Sequence, residues 1–205
     1  MTLYALKPRF QALLRPLVAR AAAAGITANA VTLAAAALSC LLGAALVVAG
    51  DPRWFLLLPP WLFLRMALNA VDGMLAREFG QQSRLGAYLN ELCDVVSDAA
   101  LVAPFAVVAP FAPGWVAAVV FLAALSEYAG VMGPLAGAGR RYDGPFGKSD
   151  RAFVFGALAA AIGVFGTLPA WTAWMMPAFA LLLVVTTLNR VRRGIAEADG
   201  RKDAA

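Results

Sequence analysis

The segment that decides the fold runs from Arg65 to Asp98 and reads RMALNAVDGMLAREFGQQSRLGAYLNELCDVVSD. By hydropathy it supplies most of two membrane-spanning helices joined by a short polar turn, yet both helices carry ionisable side chains. A charged side chain at the centre of a bilayer costs about 2.5 kcal/mol or more, so such groups usually mark a functional site. We therefore expect the remaining helices to hold this segment in place.

The composition of the whole chain is that of an integral membrane protein. Of its 205 residues, 62% are hydrophobic and 14% are charged, and the mean hydropathy is +0.75. Soluble domains carry about 25% charged residues. Residues 1–205 suit one polytopic bundle without a separate soluble domain, because each span needs about 20 residues. Cys40 and Cys93 lie singly in apolar segments, which disfavours a disulfide or a zinc site.

The apolar runs predict an all-α polytopic fold with six transmembrane helices and an N-terminal amphipathic helix in the membrane interface. Residues 3–20 place leucines at helical spacing among basic residues, as interfacial helices do, although Pro8 and Pro16 are potential breaks. Thr27 or Asn29 is expected to cap the first span. The predicted spans are residues 30–49, 54–79, 86–108, 115–135, 152–166 and 171–188.

Lysine and arginine lie almost entirely on one side of this predicted bundle. The N-terminal helix, the turn after the second span, the loop of residues 137–151 and the C-terminal tail hold 15 of the 17. By the positive-inside rule, both termini and that loop face the cytoplasm. The net charge of +5 then reflects contact with anionic lipid headgroups, and nucleic-acid binding is disfavoured, since the basic residues are spread over one membrane face.

Polar side chains on the second and third spans recur at helical spacing, so that each span has one polar face. These faces comprise Arg65, Asn69 and Asp72 on the second span, and Asn90, Asp94 and Asp98 on the third, with Glu91 beside them. A short turn joins the spans, so we expect the faces to meet at one depth, open to the cytoplasm. Carboxylates and carboxamides favour a hard cation such as magnesium, calcium or manganese.

Charge supports that expectation, because four acids face a single arginine and leave negative charge for a cation to neutralise. The alternative is that Arg65 pairs with the acids in a satisfied interhelical network. Gly73, Ala76 and Gly86 flank the acids and allow either close helix packing or ligand access.

Residues 69–94 resemble the signature of the CDP-alcohol phosphotransferase family, DxxDGxxARx8GxxxDxxxD. Six of its eight positions match, and Asn69 and Asn90 stand where the family has aspartates. The matching residues are Asp72, Gly73, Ala76, Arg77, Gly86 and Asp94. The segment TANAVT, residues 27–32, is similar to the family's TPNxVT, and the loop GPFGKSDRA resembles an uncharacterised bacterial branch of the family.

The resemblance implies a membrane transferase of phospholipid biosynthesis in the bacterial inner membrane. Such an enzyme moves a phosphatidyl group from CDP-diacylglycerol to an alcohol acceptor and releases CMP, with Mg²⁺ or Mn²⁺ as cofactor, and it is a homodimer. Asp94 would be the general base. The implied metal ligands are Asp72, Asn69, Asn90 and Asp94, with Glu91 and Asp98 as additional candidates. The implied nucleotide pocket is lined by Gly73, Ala76, Arg77, Ser83 and Gly86.

The two asparagines keep an oxygen ligand but remove negative charge, so they should weaken metal binding. Glu91, Asp98 or Glu127 in the fourth span would be placed to compensate. The alternative function is that of a non-catalytic relative, a metal- or lipid-binding membrane protein with a degenerate metal site.

Four basic side chains gather in the loop before the fifth span: Arg140, Arg141, Lys148 and Arg151. They are candidates for binding a phosphorylated acceptor, because arginine forks bind phosphate well. An ordinary positive-inside loop is the equal alternative. Arg190, Arg192 and Arg193 in the tail are expected to signal topology only.

Overall fold

Seven α-helices make up most of the chain that the structure describes. A computed structural model describes residues 7–202, with side chains from residue 10 to residue 200. The helices are α1 (Lys7–Ala23), α2 (Ala28–Ala49), α3 (Leu58–Glu78), α4 (Arg84–Val102), α5 (Pro113–Val131), α6 (Lys148–Phe165) and α7 (Met175–Lys202). Short 3-10 helices lie between them at Pro52–Leu57, Ala103–Val107, Pro134–Ala136 and Ala170–Trp174.

A helix occupies each of the six predicted spans. By length and composition, four stretches are apolar enough to cross a membrane, and these are Ala28–Ala49, Pro52–Glu78, Pro113–Val131 and Ala170–Gly200. The other two helices, α4 and α6, are 19 and 18 residues long, and the charged side chains within them leave no apolar stretch of spanning length. The all-helical architecture is therefore confirmed for the described residues, and the count of six spans stays a prediction.

Three helices end at residues other than the predicted ends of the spans, which themselves stay predictions. The third span was expected to reach residue 108, but α4 ends at Val102 and gives way to a 3-10 helix that contains Pro104. The fourth was expected to reach residue 135, but α5 ends at Val131, close to Gly133 and Pro134. The sixth was expected to reach residue 188, whereas α7 continues to Lys202 with buried side chains along its extension.

The N-terminal helix packs against α3. It runs through Pro16 without a break, and Gly25 follows its end with a φ of +77°. Val18 is fully buried, and Arg15 Nε donates to Glu78 at 3.0 Å on the surface. The first predicted residues of this helix, 3–6, lie outside the described residues, and its position in a membrane interface stays a prediction.

The helix that lies against both polar faces is α2, with Thr27 as its N-cap. Its contact with α4 is the most extensive in the fold, whereas α3 and α4 themselves make little backbone contact. Close backbone packing of α3 on α4, one of the two alternatives offered by Gly73, Ala76 and Gly86, is therefore not what the structure shows. Small side chains on α2 admit α4 instead, most closely at Gly43, where a Cβ atom would lie 2.9 Å from the carbonyl carbon of Ala100.

Aromatic rings form the centre of the apolar core. The ring of Phe105 lies 5.4 Å from Phe55, 5.1 Å from Phe155 and 6.1 Å from Phe111. These rings come from the segments before α3 and after α4 and from α6, so they fix the helices that carry the polar residues.

We predict that Gly43→Ala destabilises the protein by about 1–3 kcal/mol, because the added Cβ would overlap the backbone of Ala100 and force α2 from α4. Thermal unfolding in detergent would measure the loss. Gly114→Ala is the matched control, since a Cβ there meets no atom within 4 Å. Equal melting temperatures for the two variants would contradict the prediction.

Candidate functional site

Polar side chains bridge the gap between α3 and α4. Asn69 Nδ2 donates to Asp94 Oδ1 at 3.0 Å. Arg65 Nη2 donates to the same oxygen at 3.1 Å, and Arg65 Nη1 donates to Asp98 Oδ1 at 2.5 Å. The two faces therefore meet at one level, as their spacing predicts, with Asp98 one turn further along α4.

Asp72 is oriented toward α2 and is only 4% exposed. Its Oδ2 accepts a hydrogen bond from Thr32 Oγ1 at 2.7 Å, and its Oδ1 has no hydrogen-bond partner. Thr32 ends the TANAVT segment, to which the motif comparison had assigned no role. A buried charged oxygen without a partner is destabilising, so a cation beside Oδ1 would stabilise this site.

Five cationic side chains converge on the acids of this region. The acids are Asp72, Glu91, Asp94, Asp98 and Glu127, and the cations are Arg65, Arg140, Lys148, Arg151 and Arg190. The expectation of four acids facing one arginine is therefore wrong, because distant segments of the chain supply four further cations. Of these five acids, Asp72 alone forms no ion pair among the described residues.

Glu127 on α5 joins α6 and α7 to the polar faces. Arg151 Nη2 donates to Glu127 Oε1 at 3.0 Å and to Asp98 Oδ2 at 2.8 Å. Arg190 Nη1 lies 3.3 Å from Glu127 Oε2, and Arg140 Nη2 lies 3.7 Å from the same oxygen. Glu127 thus forms ion pairs with three cations. Its part in the cluster is larger than that of the compensating acid predicted from the sequence.

Arg190 is 2% exposed, so its expected role as a topology signal alone is wrong. Its Nη1 also donates to the carbonyl oxygen of Ser126 at 2.5 Å. The burial of Arg190 could have been predicted from helical spacing. Leu183, Thr186 and Arg190 stand at i, i+3 and i+7 on one face of α7, and all three are buried. Arg192, in contrast, is exposed.

Three of the four predicted acceptor-binding residues lie at the acids. Arg140 contacts Glu91, Lys148 Nζ contacts Asp94 Oδ2, and Arg151 binds Asp98 as described above. The fourth, Arg141, is directed elsewhere and contacts Asp143 and Glu197. The basic loop therefore reaches the polar faces, and its role toward an acceptor stays a prediction.

The predicted nucleotide-binding residues lie at the neighbouring ends of α3 and α4. A Cβ at Gly73 would lie 2.7 Å from Arg77 Nη2, and one at Gly86 would lie 2.8 Å from Asn29 Oδ1. Ser83 caps α4 by accepting a hydrogen bond from Gly86 N at 2.9 Å. These glycines are thus covered by polar side chains and not by a neighbouring helix backbone, which favours ligand access over close helix packing.

The residues present fit a divalent cation at Asp72. Its buried Oδ1 is unpartnered, and Asn69 lies one turn away on the same face. Asn90 is partly buried on α4 and takes no part in the hydrogen bonds described for the cluster. Among the side chains described, those of residues 10–200, no three His, Cys, Asp or Glu residues are grouped to hold a metal ion. Such a site would therefore need carboxamide oxygens.

Asp143 anchors the loop before α6 to α7. It accepts hydrogen bonds from Arg141 Nε at 2.8 Å and from Arg193 Nη1 at 2.9 Å. Burial opposes ionisation of Asp143, but the hydrogen bonds and charges of Arg141 and Arg193 outweigh it and hold the pKa of Asp143 below its ordinary value.

Comparison with known proteins bears out the resemblance seen in the motif. Residues 25–184 match the family model described as CDP-alcohol phosphatidyltransferase. The chain is 47% identical over 195 residues to the inner membrane protein YnbA of Escherichia coli K12, an alignment that covers 94% of this chain and 96% of YnbA.

Solved structures share the fold. The phosphatidylinositol phosphate synthase PgsA1 of Mycobacterium tuberculosis, in complex with manganese and citrate, is 21% identical with a TM-score of 0.70, and 87% of each chain is covered. The same synthase with CDP-DAG bound is 20% identical with a TM-score of 0.71, covering 87% of this chain and 92% of that one. At this identity the likeness establishes a common architecture.

We predict that Glu127→Gln destabilises the protein by about 3–5 kcal/mol, because it leaves buried arginines without their charge partner. Thermal unfolding in detergent is the measurement. Glu78→Gln removes an acid from an exposed pair with Arg15 and should change the melting temperature little. A similar melting temperature for both variants would show that the buried network contributes no stability.

We predict that Asp143→Asn lowers the melting temperature at neutral pH and that its difference from the wild type disappears on acidification. A carboxyl group whose folded pKa is lowered stabilises the fold above its unfolded value of about 3.9 and loses that contribution as pH falls through the folded pKa. Unfolding scans from pH 7 to pH 3 would test this. A difference that grows toward acid pH would have the wrong sign.

Proposed function

Because the chain belongs to the CDP-alcohol phosphatidyltransferase family, we propose that it transfers a phosphatidyl group from CDP-diacylglycerol to an alcohol acceptor and releases CMP. One observation carries the proposal: motif residues Asn69 and Asp94 meet across α3 and α4, beside Asp72 with its unpartnered carboxylate oxygen. The relatives support the donor, since PgsA1 has been solved with CDP-DAG bound.

In this proposal Asp94 accepts the proton of the acceptor hydroxyl group. The acceptor oxygen then forms a bond to the phosphatidyl phosphorus, and the bond from that phosphorus to the bridging oxygen of the pyrophosphate breaks, so CMP departs. Asn69 and Arg65 hold Asp94 Oδ1 and thereby fix the orientation of the carboxylate toward the acceptor.

A divalent cation, Mg²⁺ or Mn²⁺, would be held by Asp72 with the carboxamides of Asn69 and Asn90. When bound, it would neutralise charge on the transferring phosphate. Glu91 and Asp98 are engaged by Arg140, Arg65 and Arg151 and are weaker candidates as ligands. The manganese bound to PgsA1 supports the choice of metal.

Arg77 and Ser83, with Gly73, Ala76 and Gly86, would receive the nucleotide at the ends of α3 and α4. Arg140, Lys148 and Arg151 would present positive charge to a phosphorylated acceptor, and Arg141 would join them only by leaving Asp143 and Glu197. The active site would open to the cytoplasmic side of the inner membrane, with both termini cytoplasmic, because basic residues crowd that side. We also propose that the protein is a homodimer, as the family resemblance implies.

A second candidate is a non-catalytic membrane protein that binds lipid or metal. It is favoured by the balanced charges of the cluster, in which both oxygens of Asp94 are engaged by Arg65, Asn69 and Lys148. Binding of CDP-diacylglycerol without turnover would distinguish it from the transferase.

We predict that the purified protein releases CMP from CDP-diacylglycerol in the presence of Mg²⁺ or Mn²⁺ and a panel of alcohols and alcohol phosphates. Asp94→Asn should slow release by about 100-fold or more, as loss of a general base does, and EDTA should abolish it. Glu78→Gln, on the surface of α3, is the control. Absence of CMP with every acceptor, or full activity of Asp94→Asn, would refute the proposal.

A further inference from the structure

Lys148 differs from the other four cations of the cluster in how it is held. Arg65, Arg140 and Arg151 each contact two acids, and Arg190 adds backbone carbonyl oxygens to Glu127. Lys148 has one described partner, Asp94, and its side chain is 31% exposed. Its ammonium group is a hydrated point charge on a flexible stem, so it can leave the cluster at a lower cost than a buried guanidinium.

The ammonium group of Lys148 lies among the acids, where a bound metal ion would also be attracted. It contacts Asp94 Oδ2 directly, and Asp94 in turn accepts a hydrogen bond from Asn69, which stands one turn before Asp72 on α3. Asp72 has the unpartnered oxygen to which a divalent cation has been assigned. A dication at Asp72 would therefore be placed close to an existing positive charge, and the two repel each other strongly where water is scarce.

We propose that Lys148 is a tethered cation that occupies the resting cluster at Asp94 and competes electrostatically with a divalent metal at the neighbouring Asp72. The inference rests on the metal site of the proposed function. It assigns to Lys148 a role beyond acceptor binding: metal enters when the ammonium group withdraws from Asp94, which also frees the carboxylate oxygen that a base needs. Removal of the Lys148 charge should therefore strengthen metal binding.

The test measures Mn²⁺ binding to the full-length protein in detergent, without any substrate. Binding is monitored as the decrease of the electron paramagnetic resonance signal of free Mn²⁺. Lys148→Met should bind Mn²⁺ at least about tenfold more tightly than the wild type, because it keeps the apolar stem and removes the charge. Lys148→Arg should bind like the wild type. A gain of affinity cannot arise from misfolding.

Two controls locate the effect. Arg192→Met removes one positive charge from the exposed surface of α7 and should leave Mn²⁺ affinity unchanged. Adding Asp72→Asn to Lys148→Met should abolish the gain, because the assigned oxygen ligand is weakened. The inference is overturned if Lys148→Met binds Mn²⁺ no more tightly than the wild type, if Arg192→Met gains as much, or if neither wild type nor variant binds Mn²⁺.

Failure of this inference and failure of the proposed function give different results. Metal-dependent CMP release together with equal Mn²⁺ affinity of the wild type and Lys148→Met refutes the competition and leaves the transferase intact. Tighter Mn²⁺ binding by Lys148→Met without CMP release from any acceptor supports the competition and refutes the transferase.

Discussion

Buried charge has to be paired, and this constraint organises the polar half of the molecule. Glu127 lies among apolar helices and contacts Arg140, Arg151 and Arg190, which come from the loop, α6 and α7. An acid or a base left alone in such surroundings costs several kcal/mol, on the order of 3–5 when one partner is removed. The positions of the last two helices relative to α4 and α5 therefore depend on these ion pairs as well as on the aromatic core.

The two motif aspartates, Asp72 and Asp94, differ in how their carboxylate oxygens are paired. Asp94 is engaged at both oxygens by neighbouring side chains, whereas Asp72 retains one oxygen without a partner. The cluster is thus balanced in charge but uneven in its contacts. In the proposed function, Lys148 at the start of α6 would have to leave Asp94 before that carboxylate could act as a base, and a cation would have to bind at Asp72.

Local patterns in the sequence predicted much of this arrangement. The spacing of Arg65, Asn69 and Asp72 placed them on one helix face, and the short turn predicted that this face meets that of Asp94, as the hydrogen bond from Asn69 to Asp94 confirms. Arg190 was predictable in principle from the buried stripe of α7 but was attributed to topology, since an arginine after an apolar run usually faces the headgroups. Thr32 had no such signal, because a threonine near the start of a span is an ordinary cap or packing residue.

Hydropathy and helical period are local properties of the chain, so the class of protein, the helical segments and the motif can be read from the residues alone. Which helices are neighbours, and how the charge of each acid is compensated, depends on contacts between segments far apart in the chain. Gly43 lets α2 lie against α4, and α3 reaches α4 through the side chains of Arg65 and Asn69. Lys148 and Asp94 are far apart in sequence, and only the packing of α6 brings that ammonium group to that carboxylate.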